Sequence, residues 1–264
     1  MAHSAPVTPR KPKKQRLDQV MVERGLASGR DRARALVMAR EVLVDGQVAH
    51  RPAAPVAEDA LIEVKTPPPF VSRGGEKLAH ALDRSGIDPT GLRCLDVGAS
   101  TGGFTDCLLQ RGAREVVAVD VAYGEIAQKL RDDPRVELRE RVNAREMEPL
   151  ETPADLLVMD VSFISAATVL AAVAPSVRPG GEMLILVKPQ FEAGREQVEK
   201  GGVVRDPVVH ASCIAKVALA AIDLGLRVRG VIRSPLLGPA GNREFFLRLQ
   251  RSEGEAVTGV GSTS

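Results

Sequence analysis

From residue 93 to residue 188 the chain repeats one pattern: a short apolar run of strand character, a glycine or polar turn and, in most repeats, a stretch of helical spacing. The five runs are "RCLDVG", "EVVAVD", "RVELRE", "DLLVMDV" and "EMLILVK", and the spacing predicts helices over about 103–111, 124–131, 165–174 and 208–224. Strands separated by helices lie parallel, and a parallel sheet has to be covered by helices on both faces. The chain closes with "RVRGVIRS" and "REFFLRLQ", two strands with no helix between them, which predicts an antiparallel pair at the sheet edge. The expected fold class is α/β, a mostly parallel seven-stranded sheet over residues 72–250.

Residues 16–65 follow a different pattern and are expected to form a small α+β domain of their own. "LDQVMVERGL" sets Leu17, Val20, Met21 and Leu26 at or near helical spacing, with Gly25 to end the helix. "SGRDRARALVMAR" offers Ser28 or Gly29 as a cap and puts Ala33, Leu36 and Val37 on one face. "EVLVDGQVAH" alternates Val42 and Val44 ahead of an Asp-Gly turn, the signal of a hairpin. "KTPPPFV" then carries three consecutive prolines, which neither continue a helix nor pair in a sheet, so residues 66–71 are expected to be a linker. Disordered tails are expected at 1–15, which is basic, and at 251–264.

Charge separates the two parts further. The first 40 residues hold ten Lys or Arg against three acids, a net of +7, whereas the whole chain is only +2, so the remainder is about −5. A basic head on a mildly acidic body suits a polyanionic partner, because cations gain affinity by releasing counterions from phosphates; a solvated helix face and tail is the plainer reading. No apolar stretch reaches the roughly 20 residues of a spanning helix, and "MAHSAPVTPRKPKKQR" has no apolar segment for a secretory signal. Cytoplasmic localisation without membrane contact is expected. Cys94, Cys107 and Cys213 lack metal-ligand spacing and are expected as small core residues.

"CLDVGASTGGFTD" (Cys94 to Asp106) leads the first strand into a turn and a helix, as a dinucleotide-binding loop does. The dinucleotide fingerprint needs a bare second glycine where backbone meets pyrophosphate, yet Ser100 stands there. A ligand without phosphates needs less intimate backbone approach. Asp120, 22 positions after Gly98 at the end of the second strand, is placed to accept both hydroxyls of a ribose. Alone, each feature has a structural reading: a tight strand-to-helix turn for the loop, a helix cap for Asp120.

Ligands of open α/β sheets bind at the carboxyl ends of the strands. Asp160 ends the fourth strand, Lys188 ends the fifth, and Glu244 opens the last, which, being antiparallel, begins on the same rim. Lys77, in "SRGGEKL", sits on the helix before the first strand. Singly, each is more simply a structural or solvated group. Two lysines and two acids converging on one rim are not ordinary surface decoration. Arg141, just beyond the third strand, is placed to meet a phosphate or to be solvated, and the Gly-rich, charged segment 192–207 is placed to order over a substrate.

These motifs carry a family resemblance. The closing antiparallel pair is similar to that of methyltransferases using S-adenosylmethionine, and residues 16–64 resemble the S4 RNA-binding domain. Arg40 departs from that domain, standing where glycine is usual before the strand, and Gly29 stands where a capping serine is common. A positive φ at an arginine costs on the order of 1 kcal/mol, so a differently built helix end is expected there. The Lys, Asp, Lys, Glu set resembles the catalytic tetrad of FtsJ-like ribose 2′-O-methyltransferases. Together with "VSRGGEKL", "DVSFIS", "LVKPQFE" and "SPLLGPAGNREFF", residues 16–249 resemble the TlyA family, also called haemolysin A.

The resemblance implies methylation of a cytidine 2′-hydroxyl in ribosomal RNA, with S-adenosylmethionine as cofactor and ribosomal RNA or subunits as partner. It implies Lys77, Asp160, Lys188 and Glu244 as catalytic residues and Gly98, Ser100, Gly102, Asp120, Asn143 and Asp160 as the cofactor set. Arg16, Arg30, Arg51 and Arg141 are the candidate RNA contacts. Lys188 is the candidate base or hydroxyl-orienting group, the acids orient the lysines, no metal is required, and nothing in the residues points to an obligate protein partner. The older family name implies a membrane-damaging protein, but the sequence has neither a spanning segment nor a strongly amphipathic apolar helix. A non-catalytic RNA-binding assembly factor is the stronger alternative, and the intact tetrad argues against it.

Overall fold

The structure is a computed structural model and describes residues 14–27, 29–65 and 68–253. Ser28, Thr66, Pro67 and most of both expected tails lie outside the described residues. The chain divides into two compact units after Pro68.

The first unit runs β1 (Gln15–Arg16), α1 (Leu17–Glu23), α2 (Arg30–Met38), β2 (Val42–Val44), β3 (Gln47–Val48), β4 (Pro55–Val56) and β5 (Ile62–Val64). β2 pairs antiparallel with β3 and with β5, and β1 pairs with β4. Leu17, Val20 and Met21 of α1 and Ala33, Leu36 and Val37 of α2 bury against Val42 and Ile62, so the apolar spacing of the sequence becomes one core. Asp45 and Gly46 both take positive φ, +50° and +79°, the primed turn that matches strand twist.

Both helices end in the same motif. After α1, Gly25 N–H donates to Val22 O (3.0 Å) and Leu26 N–H to Met21 O (2.8 Å); after α2, Arg40 N–H donates to Val37 O (3.0 Å) and Glu41 N–H to Leu36 O (3.0 Å). The motif needs one left-handed residue, at φ +70° for Gly25 and +60° for Arg40. The expectation of a differently built end at Arg40 is therefore corrected: the two paired backbone bonds hold the arginine in the strained region. Arg40→Gly is expected to stabilise this unit by about 0.5–1 kcal/mol, read as slower hydrogen exchange of the α2 and β2 amides. Unchanged or faster exchange would mean that the arginine side chain offsets its own strain.

The second unit runs α3 (Arg73–Ser85), β6 (Arg93–Val97), α4 (Gly103–Gln110), β7 (Glu115–Val119), α5 (Gln128–Arg131), β8 (Val136–Arg139), β9 (Ala154–Met159), α6 (Ala166–Val173), β10 (Val177–Val187), α7 (Pro189–Glu192), α8 (Pro207–Asp223), β11 (Leu226–Arg233) and β12 (Phe245–Arg251). The seven-stranded sheet has the order β11-β12-β10-β9-β6-β7-β8. β6 to β10 are parallel, while β12 is antiparallel to both β10 and β11. The last strand in the chain is thus an inner strand, and β11 is the edge.

Each inner strand divides its side chains between two cores, one per face. In β9, Leu156 and Val158 face Leu78, Leu82 and Leu108 of α3 and α4. Leu157 and Met159 face Val169, Leu170 and Val217 of α6 and α8. Phe70 and Val71, at the end of the stretch expected as linker, pack against the α3/α4 core. All three cysteines are buried. The helix expected over 124–131 is shorter, because Gly124 is left-handed at φ +77° and Ala127 N–H is taken by Thr101 O at 3.1 Å, leaving only α5.

Candidate active site

The register lines up the ends of five strands. Val97 of β6 pairs with Val119 of β7 and with Met159 of β9, and Val187 of β10 pairs with Phe245 of β12. The residues one step beyond are Gly98, Asp120, Asp160, Lys188 and, on the antiparallel strand, Glu244. Gly98 is bare for a reason: at φ +84° a Cβ would lie 2.4 Å from the Asp160 carbonyl oxygen. The strand ends can approach this closely only over a glycine.

Two cavities meet at that point. One, of about 420 Å³, is bordered by Gly98, Ser100, Asp120, Asn143 and Asp160 among others. Asp120 is not a helix cap: its two oxygens accept Ser100 N–H and Ala122 N–H, each at 2.7 Å, eight residues before α5 begins. Those bonds fix the carboxylate and tie the first loop to the second, and each oxygen keeps a free lone pair. Ser100 itself is left-handed at φ +48°, and its hydroxyl donates to Glu125 at 3.2 Å. Asn143 starts a short 3-10 turn by accepting Arg145 N–H (3.2 Å) and donating to Glu146 (2.7 Å). Gly102 borders neither cavity; at φ +93° a Cβ there would lie 2.2 Å from Leu130. Packing explains that glycine.

The second cavity, of about 500 Å³, brings Lys77, Asp160, Lys188 and Glu244 together. They form two ion pairs: Lys77 Nζ lies 2.5 Å from Glu244 Oε2, and Lys188 Nζ lies 2.5 Å from Asp160 Oδ1. The first pair is closed off, with side-chain exposures of 8% and 1%; the second is more open, at 11% and 22%. Lys188 also donates to Ser162 Oγ at 2.8 Å. Glu244 has room because Gly238 is bare: a Cβ there would lie 2.5 Å from its Oε1. Each lysine, when charged, is matched by a carboxylate within the site, which limits the cost of desolvating it in a half-enclosed cavity.

Several residues that support this rim were not singled out by sequence reasoning. Glu192, buried, accepts Ser165 Oγ and Ala166 N–H, both at 2.6 Å, and so pins the start of α6 to the segment after Lys188. Asn242, also buried, accepts Val204 N–H (2.9 Å) and donates to Gly202 O (2.8 Å). Segment 192–207 is thereby anchored at both ends. Asp96 lies beneath the Gly98 loop, fully buried, and accepts Thr105 Oγ1 at 2.7 Å; burial pushes its carboxyl up to about 7. Asn242 and Glu192 stand inside the quoted motifs, but nothing in their spacing distinguishes an anchor from a solvated polar residue.

The candidate RNA contacts fall in different settings. In the first unit Asp18, fully buried, accepts Arg16 Nε and Nη2 at 3.0 and 2.7 Å, with Arg30 at 3.8 Å and Arg34 at 3.5 Å. The bond from Arg16, against the opposing effect of burial and with Arg30 and Arg34 assisting, holds the Asp18 carboxyl down at about 2. One buried acid thus fans out three half-exposed arginines. Arg51 is exposed. Arg141, left-handed at φ +59°, lays its guanidinium over the Tyr123 ring, 4.3 Å from the centroid. Among the described residues no helix is long and apolar enough to cross a membrane.

Comparison with known proteins accords with this geometry. The profile described as FtsJ-like methyltransferase matches residues 70–251, and that of the S4 domain matches residues 15–62. A 16S/23S rRNA (cytidine-2′-O)-methyltransferase TlyA of Mycobacterium tuberculosis is 47% identical over 250 residues, 93% of each chain. Hemolysin A of Brachyspira hyodysenteriae is 38% identical over 88% of this chain and 98% of its own. A solved structure of a Streptococcus thermophilus protein assigned as a hemolysin superposes with a TM-score of 0.69, at 37% identity, over 94% of this chain and 93% of that one.

Proposed function

Because the chain belongs to the FtsJ-like methyltransferases of the TlyA type, which join an S4 domain to a methyltransferase domain, we propose that it transfers a methyl group from S-adenosylmethionine to the 2′-hydroxyl of a cytidine in ribosomal RNA. The observation that carries this reading is the meeting of two cavities across Gly98 and Asp160, one holding the two Lys–carboxylate pairs and the other a pinned, hydroxyl-accepting Asp120.

The smaller cavity suits S-adenosylmethionine on its own chemistry. Asp120 keeps one lone pair on each oxygen for a ribose diol, Val119, Val121, Val142, Ile164 and Val169 give an apolar bed for an adenine, and the Gly98–Ser100 backbone bends around the amino acid end. Bound there, the cofactor supplies an electrophilic methyl group on a sulfonium. A ribose hydroxyl attacks such a centre poorly and only in line, so the protein's task is to hold the oxygen on that line and to take its proton. Lys188 suits this task better than Lys77: as the neutral amine it takes the hydroxyl proton while the oxygen attacks the methyl carbon, and Asp160 balances the ammonium so formed. Lys188 belongs to the more open of the two ion pairs, and its Nζ is fixed from two sides by Asp160 and Ser162. Asp160 orients Lys188, and Glu244 holds Lys77 as a second, buried cation of the same cavity. Arg16, Arg30 and Arg51 meet RNA phosphates from the first unit.

Purified protein with labelled S-adenosylmethionine is expected to modify ribosomal subunits that lack the methyl group, the label being recovered as 2′-O-methylcytidine after nuclease digestion. Label in a base-methylated nucleoside would overturn the reaction assigned to these residues. No label in either subunit would favour the non-catalytic alternative.

A further inference from the structure

A groove of about 630 Å³ lies between α3 and the edge strand β11, outside the two cavities already described. Its walls carry Arg84 and His80 of α3, Arg229 and Arg233 of β11, and Arg248 of β12, and among the described residues no acid borders it. Arg248 is committed to Glu182, at 3.0 Å from each of two guanidinium nitrogens, and to Ser85 O. Arg84, Arg229 and Arg233 are exposed, and among the described residues their side chains enter no ion pair or hydrogen bond. Three exposed arginines border one groove, two on the edge strand and one on the helix across from it, whereas charge that only discourages pairing with another sheet belongs on the strand alone.

The groove is built on the same helix as the rim. Lys77, His80 and Arg84 recur at three- and seven-residue spacing, which is one face of α3, and Lys77 at its upper end holds Glu244. On the other wall, Ser234, next to Arg233, donates its N–H to Glu244 O at 2.9 Å. β11 breaks register between Val228 and Gly230, a bulge that places Arg229 out of the ladder. From Lys77 to Arg84 the helix rises about 10 Å, the length of about three phosphate-to-phosphate steps at the roughly 3.4 Å axial spacing of a stacked strand.

We propose that this arginine groove binds the sugar–phosphate backbone of the RNA that flanks the methylated nucleotide, so that the methyltransferase unit carries its own RNA-binding surface beside that of the S4 unit. The inference rests on the function proposed above. It assigns Arg84, Arg229 and Arg233 to phosphates; the contacts fix register without reading bases.

The test is the triple variant Arg84→Glu/Arg229→Glu/Arg233→Glu in the full chain. It keeps the edge strand charged and reverses only the sign that an RNA meets. KM for ribosomal RNA is expected to rise at least tenfold near 0.1 M salt, and the dependence of log KM on log salt to become shallower by about 2 for three lost phosphate contacts. kcat at saturating RNA and S-adenosylmethionine affinity should stay as in the wild type. The companion Arg84→Lys/Arg229→Lys/Arg233→Lys variant should retain most of the affinity. KM and salt slope equal to those of the wild type would overturn the groove. If the Glu variant loses S-adenosylmethionine binding through misfolding, an Arg84→Gln/Arg229→Gln/Arg233→Gln variant decides in its place, by the same two readouts. Direct binding of a labelled ribosomal RNA fragment keeps the groove separate from the reaction. A wild type that binds this fragment more tightly than the Glu variant but methylates nothing would sink the proposed function and leave the groove standing; equal binding by both sinks the groove alone.

Discussion

Lys188→Ala is expected to lower methyl transfer by about 10²- to 10⁴-fold, the usual contribution of a positioned acid–base group, while S-adenosylmethionine binding stays close to that of the wild type. The separation follows from the two cavities: Lys188 borders the one that holds the tetrad and not the one that holds Asp120. Asp160 borders both, so a modest change in cofactor affinity is expected when its cation is removed. Lys188→Arg refines the test. It keeps the positive charge beside Asp160 but cannot take up a proton, because a guanidinium stays charged across the accessible pH range. If Lys188 only balanced Asp160, the arginine variant would be active. If Lys188 orients and deprotonates the hydroxyl, both variants are slow in single-turnover assays and both bind cofactor by calorimetry. Full activity in Lys188→Ala would remove the residue from the mechanism.

The burial of the two ion pairs bears on the same assignment. Lys77 and Glu244 are almost sealed, and removing either would leave a buried charge alone, which costs several kcal/mol. Loss of activity in a Lys77 variant therefore says little about chemistry unless folding is measured beside it. The pair at Lys188 is open enough for a substrate to reach, so its variants report on catalysis more directly.

The rim was legible because of where polar residues interrupt apolar runs. Asp160 follows "LLVM" and Lys188 follows "MLILV", and a charged residue closing a buried strand has few places to be except the rim. What the sequence could not show is the pairing. That Lys77 meets Glu244, 167 residues later, depends on the antiparallel register that sets Val187 beside Phe245, a tertiary fact. The two glycines of the loop are not told apart by the sequence. Gly98 and Gly102 look equivalent in "GASTGG", but one makes room for the Asp160 carbonyl and the other for Leu130. Arg40 shows local preference yielding to packing: α2 buries Ala33, Leu36 and Val37 and β2 buries Val42, so the turn between them is left-handed whichever residue it holds. Asp18 reads as an ordinary acid in the first turn of a helix. Only burial shows that it organises three arginines.

A chain lacking residues 1–65 is expected to keep its fold and its cofactor affinity and to lose ribosomal RNA methylation by at least about a hundredfold near physiological salt. The first half rests on the cores. Both clusters of the second unit are drawn from residue 70 onward, and the cluster of the first unit uses only residues 17–64. The deletion removes one complete core and opens neither of the others, so circular dichroism, thermal unfolding and S-adenosylmethionine titration should report an intact body. The second half rests on charge. The deleted stretch carries Arg16, Arg30 and Arg34, gathered by Asp18, and a net charge of +4, whereas residues 66–264 are −2. Losing several phosphate contacts lowers affinity by orders of magnitude and flattens its salt dependence. Adding residues 1–65 as a separate polypeptide at micromolar concentration should restore little. A short linker presents one unit to the other's ligand at an effective concentration near millimolar, and this advantage disappears on cutting even though every contact residue is still present. Undiminished methylation by the isolated body would place all of the RNA affinity on the second unit, where the arginine groove would then have to supply it.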